Sequence, residues 1–277
     1  MEFLKYKKEI EKIFAEHNID KSEVNILFCE ALKNSRADIL RKKSILKSEM
    51  EKIDRFVQKR ISGMPIQKIF KRAYFFEYEF YINNNVLCPR PETELLVEEC
   101  LKTVKKESKV LDLCTGSGAI AITIQKKAGA SVTASDISTK ALYVAKKNAK
   151  RLGATVHFVR SDLFKSIHKK FDIIISNPPY IPSKDIDALD VEVKNYDPKI
   201  SLDGGPDGLD FYRIIANNAK KYLFEHGKIF LEVGIGEAQI VKSLLETEGF
   251  ACFVKKDYNN IERIVVGELL WLKNAIK

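Results

Sequence analysis

The chain specifies an α/β protein: a doubly wound, mostly parallel seven-stranded sheet, preceded by a small N-terminal helical bundle and a β-hairpin linker. Three observations carry this expectation. From Lys109 onward, short apolar runs of strand length alternate with stretches of helical periodicity, the pattern of strands joined by crossover helices packed in layers. Before Gly63 the apolar spacing is helical throughout. Between the two regions stand two aromatic-rich runs separated by two residues, followed by a turn sequence.

In order, Phe3, Leu4, Ile10, Ile13 and Phe14 recur at helical spacing among lysines and glutamates from Glu2 to Ile19. A second amphipathic helix follows Ser22, and a longer helical region is expected from Arg36 to Ile61, ending at Gly63. Ala73-Tyr74-Phe75-Phe76 and Glu79-Phe80-Tyr81-Ile82 form the hairpin, and Asn83-Asn84-Asn85 supplies turn residues. After Cys88-Pro89-Arg90-Pro91 a helix begins with Glu92 and Glu94 in its first turn, where acids complement the helix dipole. Strands are expected at Val110–Leu113, Val132–Ser135, Val156–Val159, Phe171–Ser176, Lys228–Val233, Cys252–Lys256 and Arg263–Glu268. Helices are expected at Ala119–Ala128, Lys140–Leu152, Gly208–Phe224 and Glu237–Glu248. The last two strands follow one another directly, so they form an antiparallel hairpin at a sheet edge. The domains expected are 1–72 (helical, for docking), 73–90 (hairpin linker) and 91–277 (the sheet).

With 277 residues the chain has enough apolar content for a full-sized domain and a smaller one. No run of about 18 apolar residues occurs and the N-terminus mixes charges with apolar residues, so a cytoplasmic protein without membrane span is expected. The five cysteines are widely spaced and the four histidines show no ligand spacing, so neither a disulfide framework nor a metal site is expected. Charge is uneven: residues 1–72 hold 18 Lys and Arg against 11 Asp and Glu, most of the net +9. That field suits an acidic partner or nucleic acid as well as it suits a solvated helical surface.

The chemistry centres on Phe171 to Tyr180, where a buried strand runs into Asn177-Pro178-Pro179-Tyr180. The prolines fix their own φ and hold Asn177 extended, so its amide is aimed in one direction. The Asn177 side chain and the Pro178 carbonyl offer acceptors to a planar, neutral NH2, and Tyr180 offers a flat wall. The loop Cys114-Thr115-Gly116-Ser117-Gly118 joins the first sheet strand to its helix, where such folds bind ligands. Asp136, at the end of the next strand, is placed to hold a ribose diol. A nucleoside-containing cofactor follows, although the spacing Gly116-x-Gly118-x-x-Ala121 fits a dinucleotide as well. No hydride partner or general base stands beside Asn177, and a methyl donor needs neither.

Together these motifs resemble the peptide-chain release factor glutamine methyltransferases, the HemK/PrmC family. The resemblance spans nearly the whole chain: Gly63-Met64-Pro65-Ile66-Gln67, Pro89-Arg90-Pro91-Glu92-Thr93-Glu94, Leu111 to Ala121, Ser176 to Ile181, Asp203 to Asp210, and the ending around Glu232-Val233-Gly234. It implies a Rossmann-like methyltransferase fold that uses S-adenosylmethionine and no metal. The activity implied is methylation of the side-chain amide nitrogen of the glutamine in a Gly-Gly-Gln motif of release factors, in support of translation termination. Cys114, Thr115, Gly116, Ser117 and Gly118 would hold the methionine end, Asp136 the ribose, and Leu163 would line the adenine. Asn177, Pro178 and Tyr180 would be catalytic, Asn177 would also touch the cofactor, and Pro179 and Arg90 would complete the substrate site. The release factor would dock on the basic helical domain. The family usually has glycine where this chain has Cys114. Asn-Pro-Pro-Tyr alone is shared with adenine N6-methyltransferases of DNA and RNA, so that reading, a ribosomal-protein glutamine methyltransferase and a catalytically silent scaffold stay open on sequence.

Overall fold

The computed structural model describes residues 2–270, which fall into two compact units. The first holds the chain through Lys71 together with Asp190–Tyr196; the second holds Arg72–Leu189 and the chain from Asp197 on.

The first unit is built from α1 (Phe3–Glu16), α2 (Ser22–Leu32), α3 (Arg36–Arg41), α4 (Lys47–Ile61) and α5 (Ile66–Phe70). The stripe Phe3, Tyr6, Ile10 and Phe14 on α1 is buried against Val24, Leu27 and Phe28 on α2 and Ile53 and Val57 on α4. The single helical region expected from Arg36 to Ile61 is in fact two helices. The chain is pulled out straight between them, because the Phe3 N–H donates to the Lys43 carbonyl at 3.0 Å and Ile45 is drawn into the core. α4 then restarts where the Glu49 carboxylate accepts the Leu46 N–H at 2.9 Å. At five residues, α5 is too short to show a helical period in the sequence.

Near the end of α4 lies Arg60, whose side chain is 6% exposed. It is held by Glu23 through two contacts, at 2.6 and 3.0 Å, and by Glu192 at 2.6 Å. Glu192 therefore helps to neutralise a buried guanidinium.

The second unit opens with the antiparallel pair β1 (Arg72–Phe75) and β2 (Tyr78–Tyr81). The pair is grouped with this unit. Phe75 and Phe80 join a core with Leu96 of α6 (Pro91–Leu101) and Ile122 of the next helix. Then come β3 (Lys109–Leu113), α7 (Ala119–Ala128), β4 (Ser131–Asp136), α8 (Thr139–Leu152), β5 (Val156–Arg160) and β6 (Phe171–Ser176). After α9 (Val191–Tyr196), which belongs to the first unit, follow α10 (Asp210–Tyr222), β7 (Leu223–Glu232), α11 (Ala238–Thr247), β8 (Phe250–Lys256) and β9 (Glu262–Leu269).

The seven-stranded sheet has the order β5-β4-β3-β6-β7-β9-β8, parallel except for β9, which runs antiparallel to both neighbours. Successive residues point to opposite faces. Accordingly Leu111, Leu113, Ile174, Ile229 and Leu231 join one core with Tyr212 and Leu245, while Val110, Ile173, Ile175 and Phe230 join the other with Leu96 and Ile122. The chain reverses direction of winding between β3 and β6, so a crevice opens at their carboxyl ends. Among the described residues no helix is long and apolar enough to cross a membrane.

Candidate active site

The crevice is framed by two neighbouring strand ends. Leu113 of β3 pairs with Ser176 of β6, and the Ser176 hydroxyl donates to the Leu113 carbonyl at 2.8 Å. The loop from Cys114 and the corner at Asn177 therefore leave the sheet side by side.

In the first loop Cys114, Gly116 and Gly118 all take left-handed backbone, at φ of 59°, 54° and 82°. The curl is pinned by the Thr115 N–H on the Ser135 carbonyl at 2.9 Å and the Gly118 N–H on the Thr115 carbonyl at 2.8 Å. Gly118 also meets α8 closely: a Cβ there would lie 3.1 Å from that of Ala145. Cys114 adopts a conformation that costs a non-glycine residue roughly 1–2 kcal/mol, so the loop keeps a glycine-type path with a side chain in place. Burial pushes its thiol pKa up, which leaves it protonated and unreactive at neutral pH.

Asp136 ends β4 with both oxygens engaged, Oδ2 accepting the Gly116 N–H at 2.9 Å and Oδ1 the Ser138 N–H at 2.8 Å. Each oxygen keeps a further lone pair. Behind the loop, Asp112 is fully buried; Oδ2 accepts the Thr115 hydroxyl at 2.5 Å, whereas Oδ1 closes no hydrogen bond. Desolvation raises its pKa to about 7, against the pull of Thr115 and the nearby Ala121 amide.

At the corner, Pro178 and Pro179 are buried and Asn177 and Tyr180 partly so, all joined by trans peptides. The segment is clasped by Asp203-Gly204-Gly205: the Ile181 N–H donates to the Leu202 carbonyl at 2.9 Å, Gly204 N–H to Ile181 at 2.8 Å and Ser183 N–H to Gly205 at 2.8 Å. Gly204 is there because backbone passes backbone; a Cβ would sit 2.6 Å from the Gly208 carbonyl and 2.7 Å from Tyr180 Cα. Burial raises the Tyr180 phenol to about 12.

Asn177 is tied from behind. Its Nδ2 donates to the Thr93 hydroxyl oxygen at 3.0 Å, and that hydroxyl lies 2.6 Å from Oε2 of Glu232 at the end of β7. Among the described residues no protein donor reaches Asn177 Oδ1. Thr93 and Glu232 appear within the sequence motifs above, yet no role could be read for them, because the contact joins residues 139 apart in the chain.

Gly116, Asp136, Ile137, Leu163, Asn177 and Phe211 line one continuous cavity, and a second lobe, sharing Cys114, Gly116 and Asn177, runs on to Arg90 and Thr93. Leu163 takes φ 45° and its carbonyl accepts the Ser161 hydroxyl at 2.7 Å, which sets the cavity wall beside Asp162. Phe211 and Ile137 were not singled out from sequence; nothing distinguishes them there from core residues. Arg90 is ion-paired with the buried Asp197 at 3.2 Å, so its guanidinium reaches the lobe already anchored. The donor set fits a nucleoside carrying an amino-acid tail: a carboxylate for a diol, an apolar wall for a base, and a curled backbone loop between them.

The PrmC N-terminal domain family matches residues 7–70, and the Methyltransferase small domain family matches residues 90–192. A release factor glutamine methyltransferase of Geobacter sulfurreducens is 41% identical over 216 residues, 77% of this chain and 76% of that one. One from Thermodesulfovibrio yellowstonii is 36% identical over 267 residues, 93% of this chain and 96% of that one. Among solved structures, a methyltransferase from Pyrococcus furiosus superposes with a TM-score of 0.57 at 17% identity, covering 79% of this chain and all of that one, a likeness of fold alone.

Proposed function

We infer the chemistry of this site from one premise: the chain belongs to the release factor glutamine methyltransferases. It is an S-adenosylmethionine-dependent enzyme that methylates the side-chain amide of a release factor glutamine. In our reading that glutamine is the one in the Gly-Gly-Gln loop, and the partner docks on the basic helical unit.

S-adenosylmethionine supplies an electrophilic methyl group on a sulfonium. Asp136 accepts from the ribose hydroxyls, Leu163 covers the adenine, and the curl from Cys114 to Gly118 receives the methionine end. Asn177 also borders that cavity. Arg90, anchored by Asp197, borders the substrate lobe.

The glutamine amide is a weak nucleophile because its lone pair is delocalised into its carbonyl. Oδ1 of Asn177 and the carbonyl of Pro178 accept the two N–H bonds, which localises the pair and directs it toward the methyl. Pro179 and Tyr180 form the slot that keeps the amide plane fixed. Rate then comes from holding the reacting atoms in line, and no basic side chain is needed early. The nitrogen becomes acidic only as it gains the methyl group, so the proton leaves late, to water.

The observation that carries this reading is the anchored Asn177 amide, whose NH2 is held by Thr93 and whose Oδ1 is left without a protein donor. The test is transfer of label from S-adenosylmethionine to an intact release factor, to the same factor with its Gly-Gly-Gln glutamine replaced, and to duplex DNA. Label on the intact factor alone is expected; label on DNA would return the site to the adenine N6 reading.

A further inference from the structure

We propose that Thr93 and Glu232 are positioning residues that decide which end of the Asn177 amide faces the substrate. The proposal rests on the glutamine reading of the site and extends it behind Asn177.

Three elements converge on the relay: the first turn of α6 brings Thr93, the end of β7 brings Glu232, and the corner after β6 brings Asn177. Thr93 is 5% exposed and Glu232 3%, so water does not substitute for either partner. A hydroxyl carries one proton. When Glu232 is ionised it can only accept, so Thr93 donates to it across 2.6 Å and has only a lone pair left for Asn177. Asn177 must then offer its NH2, at 3.0 Å, and its Oδ1 is turned toward the substrate as an acceptor. When Glu232 is protonated the order reverses. Its O–H then donates to the Thr93 oxygen, the Thr93 O–H donates to Oδ1 of Asn177, and the amide rotates to present NH2 to the substrate NH2. Donor then faces donor and the glutamine is no longer held.

The groups facing Glu232 are Glu92 beside Thr93, Arg263 on β9 and the Tyr180 phenol, while the Tyr212 hydroxyl donates to its backbone carbonyl at 2.9 Å. Burial, the largest influence, and Glu92 raise its pKa to about 7; Thr93, Arg263 and Asn177 pull the other way. The reversal therefore falls within reach of ordinary assay pH. Activity is present above that value and is lost as pH falls through it.

The test uses the full chain with labelled Asn side-chain amides and Glu carboxyls. In the wild type the Asn177 NH2 resonances move with the Glu232 carboxyl titration; Thr93→Ser keeps that coupling, while Thr93→Val and Glu232→Gln lose it. On a release factor, Thr93→Val lowers kcat by about a hundredfold with unchanged S-adenosylmethionine affinity, a size typical of misplaced reacting groups. Thr93→Ser restores it, and Glu232→Gln removes the acid limb of the pH profile. Asn177 resonances indifferent to the Glu232 titration, or a Thr93→Val enzyme with wild-type kcat and acid limb, would overturn the relay. A wild type that methylates no release factor would instead overturn the glutamine reading, and the resonance titration would still decide the relay.

Discussion

Ser176 and Leu113 stand opposite one another on adjacent parallel strands, joined by a 2.8 Å hydrogen bond from the serine hydroxyl to the leucine carbonyl. One bond thus ties the root of the Cys114–Gly118 loop to the root of the Asn177 corner. Asn177→Ala should leave that tie intact and lower kcat by about a hundredfold or more, with S-adenosylmethionine affinity nearly unchanged. Steady-state kinetics alongside calorimetric binding checks this; an unchanged kcat would remove Asn177 from the chemistry.

Asp136 accepts the Gly116 and Ser138 amides with the same two oxygens that are proposed to take the diol. Asp136→Asn deprives the ribose of a charged acceptor, and S-adenosylmethionine should bind about tenfold or more weakly. At saturating cofactor most of kcat should return, which separates this residue from Asn177.

Asp112 shapes the pH dependence of stability. Its pKa is raised to about 7 in the fold, so the folded state holds a proton that the unfolded state has already released. Stability contributed by this site is therefore greatest below the unfolded carboxylate value and falls as pH rises toward 7. Asp112→Asn should flatten the decline between pH 5 and 7 by up to about 1.4 kcal/mol per pH unit, the limit for one proton. Denaturant titrations of the cofactor-free protein across that range measure it, and an unaltered slope would contradict the assignment.

Gly204 has room for hydrogen only, with the Tyr180 backbone and Gly208 carbonyl on either side. Gly204→Ala should force the clasp away from Tyr180, raising KM for the release factor and lowering the melting temperature together. A destabilised enzyme with wild-type KM would show that the clasp supports the fold without shaping the substrate slot.

Arg60 has two acidic partners of unequal burial, Glu23 at 20% side-chain exposure and Glu192 at 43%. Removing the bidentate, more buried partner leaves the guanidinium worse compensated. Glu23→Gln should therefore destabilise the helical unit more than Glu192→Gln, by about 2 kcal/mol against under about 1 kcal/mol once solvent screening is allowed for. Chemical unfolding of the two variants decides the order.

Much of this was legible in the chain because local signals agreed with the fold. Phe171–Ser176 and Ala119–Ala128 have the extents their patterns imply, since strand and helix periods are set by residues close in sequence. The backbone curl from Cys114 to Gly118 and the Asn177 corner were legible because glycines and prolines constrain backbone where they stand. The Arg36–Ile61 region failed for the opposite reason: its helical pattern is interrupted by Phe3, which takes the Lys43 carbonyl from far along the chain. Thr93 and Glu232 stayed silent likewise, as a hydrogen-bond relay has no period. Glu192 carries no local signal either, since its partner Arg60 stands far away in the chain.

The chain enters the helical unit a second time, leaving the sheet unit after Leu189 and returning at Asp197. A protease nick after Lys71 would accordingly divide one compact unit between two fragments, with Arg60 on one and its ion-pair partner Glu192 on the other. Such fragments should stay together and co-purify. A sheet unit produced without the first 71 residues would carry α9 as a six-residue helix that has lost Arg60, the partner of Glu192, and six residues are well below the length at which a helix holds unaided.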